Sequence, residues 1–305
     1  MEVKDWSYEE YPEFTEEVEG ALYLDTDGNE TGANYIHDEP YLTEGGVKLT
    51  LQILRPSCRN TGENEVLPCL VYVQGSAWME QYVYRKLAML SRVADRGYVV
   101  AVVQYRHSGI AKFPAQAVDA MNAVRHMRAN AARYGIDPDR ILIGGDSSGG
   151  HTALFACLLK DLPQSCNAYP GVSAEVKGII TYYGASSVMA DDSFPTTLNH
   201  HLPDSAEGML SGGCNLREDI GMRRRLSVEC SIDAETKLPP VLLFHGTKDR
   251  TVNPKTSAVI YRRLLETGHD AGLVYIRGAD HGGPEFWTPA AVDIADRFLK
   301  RCLNG

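Results

Sequence analysis

The feature that most constrains this chain is a series of short, almost continuously apolar runs, separated by segments with helical periodicity. These runs lie at residues 70–73, 98–103, 141–143, 178–182, 241–244 and 273–276. Apolar runs of this length are typical of parallel strands buried on both faces, whereas the alternating run at 47–53 indicates a half-exposed early strand. The pattern therefore predicts an α/β fold with a mainly parallel central sheet and helices on both faces.

Two of the intervening segments have a readable apolar face. The last one repeats apolar residues at three- and four-residue steps from Ala291 to Cys302. Another begins near Phe113, with Pro114 suited to its first turn, and ends at Gly135. Both segments are predicted to be helices that pack on the sheet.

Two regions lie outside this alternation. Residues 1–32 are rich in acidic and aromatic side chains, and residues 185–238 lack periodicity and are rich in Ser, Asp, Gly, His and Arg. We expect an acidic N-terminal segment over residues 1–32 and one α/β domain over residues 33–305. Residues 185–238 are predicted to form a cap-like insertion over the pocket, with a solvated loop as the alternative.

Charge and composition exclude several classes of partner. The formal net charge of −10 repels phosphate backbones and anionic lipids, so we expect neither a nucleic acid nor a membrane partner. There is no apolar run of about 18 residues and no signal-peptide pattern, which predicts a cytoplasmic protein. The seven cysteines are scattered and lack metal-ligand spacing, so reduced thiols and no bound metal are expected.

Residues 144–150 read GGDSSGG, directly after the apolar run at 141–143 and before a helix-like segment at 151–160. Gly145, Ser147 and Gly149 form a G-x-S-x-G at a strand-to-helix turn, which presents the Ser147 hydroxyl above the sheet. The Ser148 N–H and the helix N-terminus then lie where negative charge develops. A glycine-rich phosphate-binding turn is the alternative, but no Lys-Ser/Thr follows. Ser148 is the rival nucleophile, although only Ser147 has glycines two residues away on both sides.

On the hydrolase fold that this turn indicates, the serine, the acid and the histidine follow in that order, each after a strand. His281 follows the run at 273–276 and is the predicted base, whereas His269 precedes that run and lies on the wrong side of the sheet. Asp249 follows the run at 241–244 and is the predicted acid. Asp280 is the alternative acid, but its place beside the base makes the orienting geometry awkward. His245 is expected to pack and bond within the acid loop.

These segments resemble the α/β-hydrolase fold serine esterases, in the branch near the hormone-sensitive-lipase-like and the bifunctional acetylxylan/feruloyl esterase-like enzymes. The most specific matches are GGDSSGGH (144–151), ANAARYGIDPDRI (129–141), YR…FPA (105–115), HGTKDRTV (245–252) and GADHG (278–282). Such enzymes usually carry His-Gly-Gly-Gly after the third strand, where this chain has Gln-Gly-Ser-Ala-Trp (74–78). The resemblance implies that the backbone amides of Ser76 and Ala77 join that of Ser148 in an oxyanion hole, and that Trp78 contacts the substrate.

The predicted reaction is acyl transfer without a metal or an organic cofactor. His281 takes the proton of Ser147, Asp249 holds the imidazole, and water hydrolyses the acyl-enzyme. The expected substrate is a small-molecule or carbohydrate ester with a short acyl or hydroxycinnamoyl group, and its sugar part rests on the resemblance alone. An amidase or peptidase with the same triad, and a non-catalytic ligand-binding member of the fold, stay open as alternatives.

Overall fold

The computed structural model describes residues 3–60, 65–159, 167–189 and 195–305. In this part of the chain the strands are β1 Thr31–Glu44, β2 Val47–Cys58, β3 Leu67–Val73, β4 Val99–Val103, β5 Ile136–Asp146, β6 Ile179–Tyr182, β7 Val241–Gly246 and β8 Ala271–Ile276. They form one sheet in the order β1-β2-β4-β3-β5-β6-β7-β8. The β1–β2 and β2–β4 pairings are antiparallel and the others are parallel, so the predicted mainly parallel sheet is confirmed.

Helices cover both faces of this sheet. They are α1 Leu87–Ala94, α2 Ala115–Ala129, α3 Ala131–Tyr134, α4 Ser148–Leu158, α5 Ala206–Leu210, α6 Ile220–Arg225, α7 Lys255–Glu266 and α8 Pro289–Asn304. Successive strand residues point to opposite faces, so Val71 of β3 belongs to the core under α2, α4 and α7, whereas Tyr72 belongs to the core under α1 and α8. The predicted layers of helix, sheet and helix are therefore confirmed.

The last predicted helix forms as α8, whereas the segment predicted to be one helix up to Gly135 is divided into α2 and α3 at Asn130. In α8 the predicted stripe is the buried face, with Phe298 at 7% and Leu299 at 2% exposure. Helix α2 differs from a one-sided helix because its residues 116–127 are buried all round, polar ones included. Its Asp119 is accommodated by an ion pair with Arg106 at 2.7 Å, as buried charge requires. The predicted end at Gly135 is a left-handed residue with φ 62° that follows α3.

The apolar pattern does not predict β1. This edge strand is mostly exposed, and its register against β2 shifts between Ile36 and Glu39 and again between Pro40 and Leu42. Its buried apolar residues Tyr41 and Leu42 are therefore consecutive instead of alternating, which removes the period-2 signal of a half-buried strand.

The insertion between β6 and β7 contains α5, α6 and a short 3₁₀ helix, Val228–Ser231. An apolar cluster of Val188, Leu210, Leu216, Leu226 and Trp78 packs it on the loop that follows β3. His151 of α4 adds a hydrogen bond from Nε2–H to the Leu226 carbonyl, at 3.0 Å. The described part of the predicted cap thus lies beside the carboxyl ends of β3 and β5.

Residues 190–194 of the predicted cap, Lys160 and Cys166 lie outside the described residues. In the part of the chain that the structure describes, no helix combines the length and the apolar character needed to cross a bilayer.

Candidate active site

Ser147 stands between the last residue of β5 and the first residue of α4. Its backbone has φ 51° and ψ −125°, a region that L residues adopt only when their surroundings hold them there. A Cβ on Gly149 would lie 2.0 Å from the Val73 carbonyl oxygen, so a glycine is required for α4 to approach β3 this closely. The Ser147 N–H donates to the Tyr182 carbonyl at 2.9 Å and fixes the turn.

The predicted nucleophile, base and acid form one chain of hydrogen bonds. The Ser147 hydroxyl lies 2.9 Å from His281 Nε2, and His281 Nδ1 lies 2.7 Å from Asp249 Oδ2. Since a carboxylate only accepts, it holds the proton on Nδ1 and leaves the Nε2 lone pair facing the serine hydroxyl. The imidazole is therefore oriented to take the serine proton.

Asp249 is 1% exposed and surrounded by donors. Its Oδ1 accepts from the N–H groups of Thr251 and Val252, at 2.9 and 2.8 Å. His245 Nε2 lies 3.2 Å from Oδ2, beside His281. Burial raises the pKa of the Asp249 carboxyl, but the hydrogen bonds from His245 and His281 outweigh it and hold the pKa below its ordinary value. The carboxylate is thus charged throughout the neutral pH range.

The other candidate acid and base lie apart from this chain. Asp280 accepts from the Arg250 side chain and from the His281 backbone N–H, at 2.6 and 2.8 Å. Hydrogen bonds from Arg250 and His281 lower the pKa of Asp280 to about 2. His269 donates to the Thr236 carbonyl at 2.7 Å, near the end of α7. Asp280 therefore ties the histidine loop to the acid loop, and His269 is structural.

The loop of residues 75–78 differs from the expected oxyanion hole. The Ser76 N–H donates to Ser148 Oγ at 2.9 Å, so it is already engaged within the protein. The N–H groups of Ala77 and Ser148 have no acceptor among the described residues. Ala77 and Trp78 both have φ 54°, which is an unusual conformation for residues other than glycine. Of the three expected oxyanion donors, the N–H groups of Ala77 and Ser148 are therefore available, whereas that of Ser76 is bonded to Ser148 Oγ.

Trp78 is 1% exposed and lies in the apolar cluster that holds the insertion. Its indole packs edge-on against the His151 ring, with 5.0 Å between centroids. A side chain buried in this way leaves no surface for a ligand, which corrects the expectation that Trp78 contacts the substrate. The Trp78 side chain instead packs the loop of residues 75–78 against the insertion.

A buried charge cluster behind Ser147 could not be found from a sequence motif. Lys86 Nζ lies 3.2 Å from Asp146 Oδ2 and donates to the Tyr183 hydroxyl at 3.0 Å. Asp146 Oδ1 accepts from the Gly75 N–H at 3.1 Å, and the Tyr183 ring packs edge-on against His281. The cluster connects the loop after β3 to His281. No motif marks Lys86, because its partner is 60 residues away in sequence.

A cavity of about 410 Å³ lies between the insertion and the acid loop. It is lined by Ala185, Ser187, Val188, Thr196, Thr197, Leu198, Asn199, His200, His201, Glu207, Arg217, Val252, Asn253 and Thr256. The Ala185 N–H donates to the Ser147 carbonyl at 3.1 Å, so the cavity adjoins Ser147. Within the described ranges, no group of three or more His, Cys, Asp or Glu side chains is arranged to hold a metal ion.

Comparison with known proteins places these features in a family. The family model described as BD-FAE matches residues 52–264, well over half of the chain. Esterase LipC of Mycobacterium tuberculosis is 27% identical over 220 residues, which cover 70% of this chain and 53% of that protein. Isoprenylcysteine alpha-carbonyl methylesterase ICME of Arabidopsis thaliana is 29% identical over 220 residues, which cover 70% of this chain and 50% of that protein.

The chain thus spans about half the length of the curated relatives that it matches. Among solved structures, a truncated form of a carbohydrate esterase from gut microbiota superposes with a TM-score of 0.77 at 22% identity. The match covers 89% of this chain and 98% of that one. This likeness establishes the α/β-hydrolase architecture over nearly the whole chain.

Proposed function

Because the chain belongs to the BD-FAE family, we propose that it is a serine carboxylesterase, which hydrolyses short-acyl or hydroxycinnamoyl esters through an acyl-enzyme. The observation that carries this proposal is the unbroken chain from Ser147 through His281 to Asp249, at 2.9 and 2.7 Å. Such a chain activates a serine hydroxyl for attack on a carbonyl carbon. LipC and ICME are both named as esterases, which supports an ester as the substrate.

In the first half of the reaction, Ser147 Oγ attacks the ester carbonyl while its proton passes to His281 Nε2. The imidazole becomes positively charged, and the Asp249 carboxylate stabilises that charge across the 2.7 Å hydrogen bond. His281 then gives the proton to the departing alkoxide oxygen, which leaves as the alcohol. The acyl group stays on Ser147 as an ester.

The tetrahedral intermediate carries its negative charge on the former carbonyl oxygen. We assign its stabilisation to the Ala77 and Ser148 N–H groups, which have no acceptor among the described residues, and to the N-terminus of α4. Removing one such donor costs on the order of 3 kcal/mol of transition-state stabilisation. In the second half, water attacks the acyl carbon and gives a proton to His281. The bond from the acyl carbon to Ser147 Oγ then breaks, His281 returns the proton to Oγ, and the carboxylic acid leaves; the same N–H groups stabilise this second tetrahedral intermediate.

The cavity of about 410 Å³ supports a polar alcohol part of the substrate. Its lining combines the hydroxyls of Ser187, Thr196, Thr197 and Thr256 with the amides of Asn199 and Asn253, which suits a polyhydroxylated group such as a carbohydrate. A carbohydrate ester and selection by the insertion are therefore part of the proposal. The proposal also includes a cytoplasmic location, because the scattered cysteines are expected to be reduced thiols, as is usual in the cytosol.

The experiment is hydrolysis of p-nitrophenyl esters from acetate to long acyl chains, together with methyl ferulate, an acetylated xylo-oligosaccharide and p-nitroacetanilide. We expect kcat/KM to be highest for short acyl or feruloyl esters and to be negligible for the anilide. A preference for long chains would contradict the acyl range, and faster hydrolysis of the anilide would make the protein an amidase. Unchanged preferences after exchange of residues 195–238 for another insertion would rule out the insertion as the selector.

A further inference from the structure

Three hydroxyl groups behind the loop of residues 75–78 have no part in the proposed reaction. They belong to Ser76, Tyr105 and Ser148, and the last two are 3% and 0% exposed. Buried hydroxyls need partners, and those of Tyr105 and Ser148 find them in each other and in the part-buried Ser76. Which of these hydroxyls donates and which accepts at each contact follows from the number of protons that each carries.

Each hydroxyl has one proton to donate. Ser76 Oγ donates to the Met79 carbonyl at 2.6 Å, so at its 3.0 Å contact with the Tyr105 hydroxyl it accepts. Tyr105 has then used its proton, and at the 3.3 Å contact Ser148 Oγ donates to the tyrosine oxygen. Ser148 Oγ in turn accepts from the Ser76 N–H at 2.9 Å. The bonds close a ring that begins and ends on Ser76, and every proton in it is used.

This hydroxyl ring lies beside two residues with a disfavoured backbone conformation. Ala77 and Trp78 follow Ser76 directly, and both have φ 54°, which is costly for residues with a Cβ. On the other side, Gly75 lies so near the nucleophile that a Cβ there would be 2.7 Å from the Ser147 Cβ. Without fixed neighbours, the two residues would relax to negative φ and the Ala77 N–H would turn away.

We propose that Ser148 and Tyr105 are positioning residues, which hold the Ser76 backbone so that the strained Ala77 N–H points at the oxyanion formed on Ser147. This inference rests on the proposed esterase function. Ser148 acts twice, since its N–H serves the oxyanion and its hydroxyl fixes the opposite wall of the hole. The Ser76 N–H belongs to the hydroxyl ring and is not an oxyanion donor.

The test compares Ser148→Ala and Tyr105→Phe with the wild type on p-nitrophenyl acetate. We expect kcat to fall about tenfold in each variant, with KM within about twofold, because a misplaced donor weakens binding of the transition state only. The matched control is Tyr134→Phe. The Tyr134 hydroxyl is also buried and lies 2.9 Å from His126 Nε2, away from the site. Its removal is expected to change kcat less than twofold.

Rescue separates positioning from general destabilisation. In an Ala77→Gly background, the left-handed conformation no longer has to be enforced, because glycine adopts positive φ freely. Ser148→Ala is therefore expected to lower kcat less than threefold there. Loss of the full factor of ten in both backgrounds would overturn the proposal. A kcat for Ser148→Ala that equals or exceeds the wild-type value would also overturn it.

A second readout is independent of activity. The Ser76 amide should exchange its hydrogen at least about tenfold faster in Ser148→Ala and Tyr105→Phe than in the wild type or in Tyr134→Phe, measured by NMR on the full chain. Unchanged exchange in both variants would overturn the proposal. If the wild type hydrolyses none of the esters, the esterase function fails, while the exchange rates still decide whether the hydroxyl ring holds the loop.

Discussion

The two halves of the candidate site are held in different ways. The triad half stands on the carboxyl ends of β5, β7 and β8, and the register of β7 against β8 places Gly246 beside Ile276, where the acid and histidine loops begin. The loop half consists of residues 75–78 after β3 and contains two residues with a disfavoured left-handed backbone. Hydroxyl groups and a buried ion pair hold it in this conformation. Strand order thus determines the first half, whereas particular side chains determine the second.

Because of this difference, substitutions in the two halves should have different effects on catalysis and on stability. A change in the triad half should act mainly on proton transfer, since its side chains stand on loops after the strands and form the hydrogen-bond chain of the reaction. A change behind the loop half should cost stability as well, because its supporting groups are buried in the core.

Replacing Asp249 tests the triad half most strongly. An Asp249→Asn variant should lose about 10⁴-fold in kcat, because the amide oxygen stays with the Thr251 and Val252 N–H groups and the –NH₂ then faces His281 Nδ1, which can no longer keep its proton there. The matched change is Asp280→Asn, which should lose less than about tenfold, since an asparagine oxygen can still accept from the His281 backbone N–H. Both are measured as kcat for p-nitrophenyl acetate. A larger loss in Asp280→Asn than in Asp249→Asn would reverse the assignment of the acid.

Replacing Lys86 tests the support of the loop half. Lys86→Met leaves the Asp146 carboxylate buried without its cation, so the free energy of unfolding should fall by about 3 to 5 kcal/mol. Asp146→Asn in the same chain removes the unpaired charge while keeping an acceptor for the Gly75 N–H, and should restore more than half of that loss. Urea unfolding of the two variants checks this. A double variant no more stable than Lys86→Met would show that the ion pair is not the support.

A change of pH tests the contact between the loop half and the insertion. Burial lowers the pKa of His151 from 6.5 to about 4. Between these values the unfolded chain binds a proton that the folded protein excludes, so stability is full above pH 6.5 and falls as the pH decreases. At pH 5 the loss from this group is about 2 kcal/mol.

The control for this prediction is His151→Leu, which cannot titrate. Urea unfolding at pH 7.5 and pH 5.0 should show a difference about 2 kcal/mol smaller in the variant than in the wild type. The buried His126 is common to both proteins and cancels in the comparison. An equal pH dependence in the two proteins would mean that His151 is protonated in the folded state.

What could be predicted from the sequence follows the same division. Ser147, Asp249 and His281 could be chosen because each follows an apolar run, and the fold brings the carboxyl ends of parallel strands to one edge. The helices α2 and α8 could be predicted from apolar periodicity. Strand β1 could not, because its bulges place its buried residues side by side.

The support of the loop could not be predicted either. Ser76 and Ser148 are 72 positions apart, and no sequence pattern indicates that the Ser148 hydroxyl accepts a hydrogen bond from the Ser76 N–H. The expectation that Trp78 contacts the substrate is wrong for a related reason. Its place after β3 indicates nearness to the nucleophile, but only the folded insertion shows that the indole is covered.

The most direct test of the central claim is to find which serine reacts. A fluorophosphonate probe is added to the wild type and to Ser147→Ala, and the modified residue is located by peptide mass spectrometry. The account predicts one adduct on Ser147 in the wild type and none in the variant, although Ser148 is still present. An adduct on Ser148, or labelling that persists in Ser147→Ala, would contradict it.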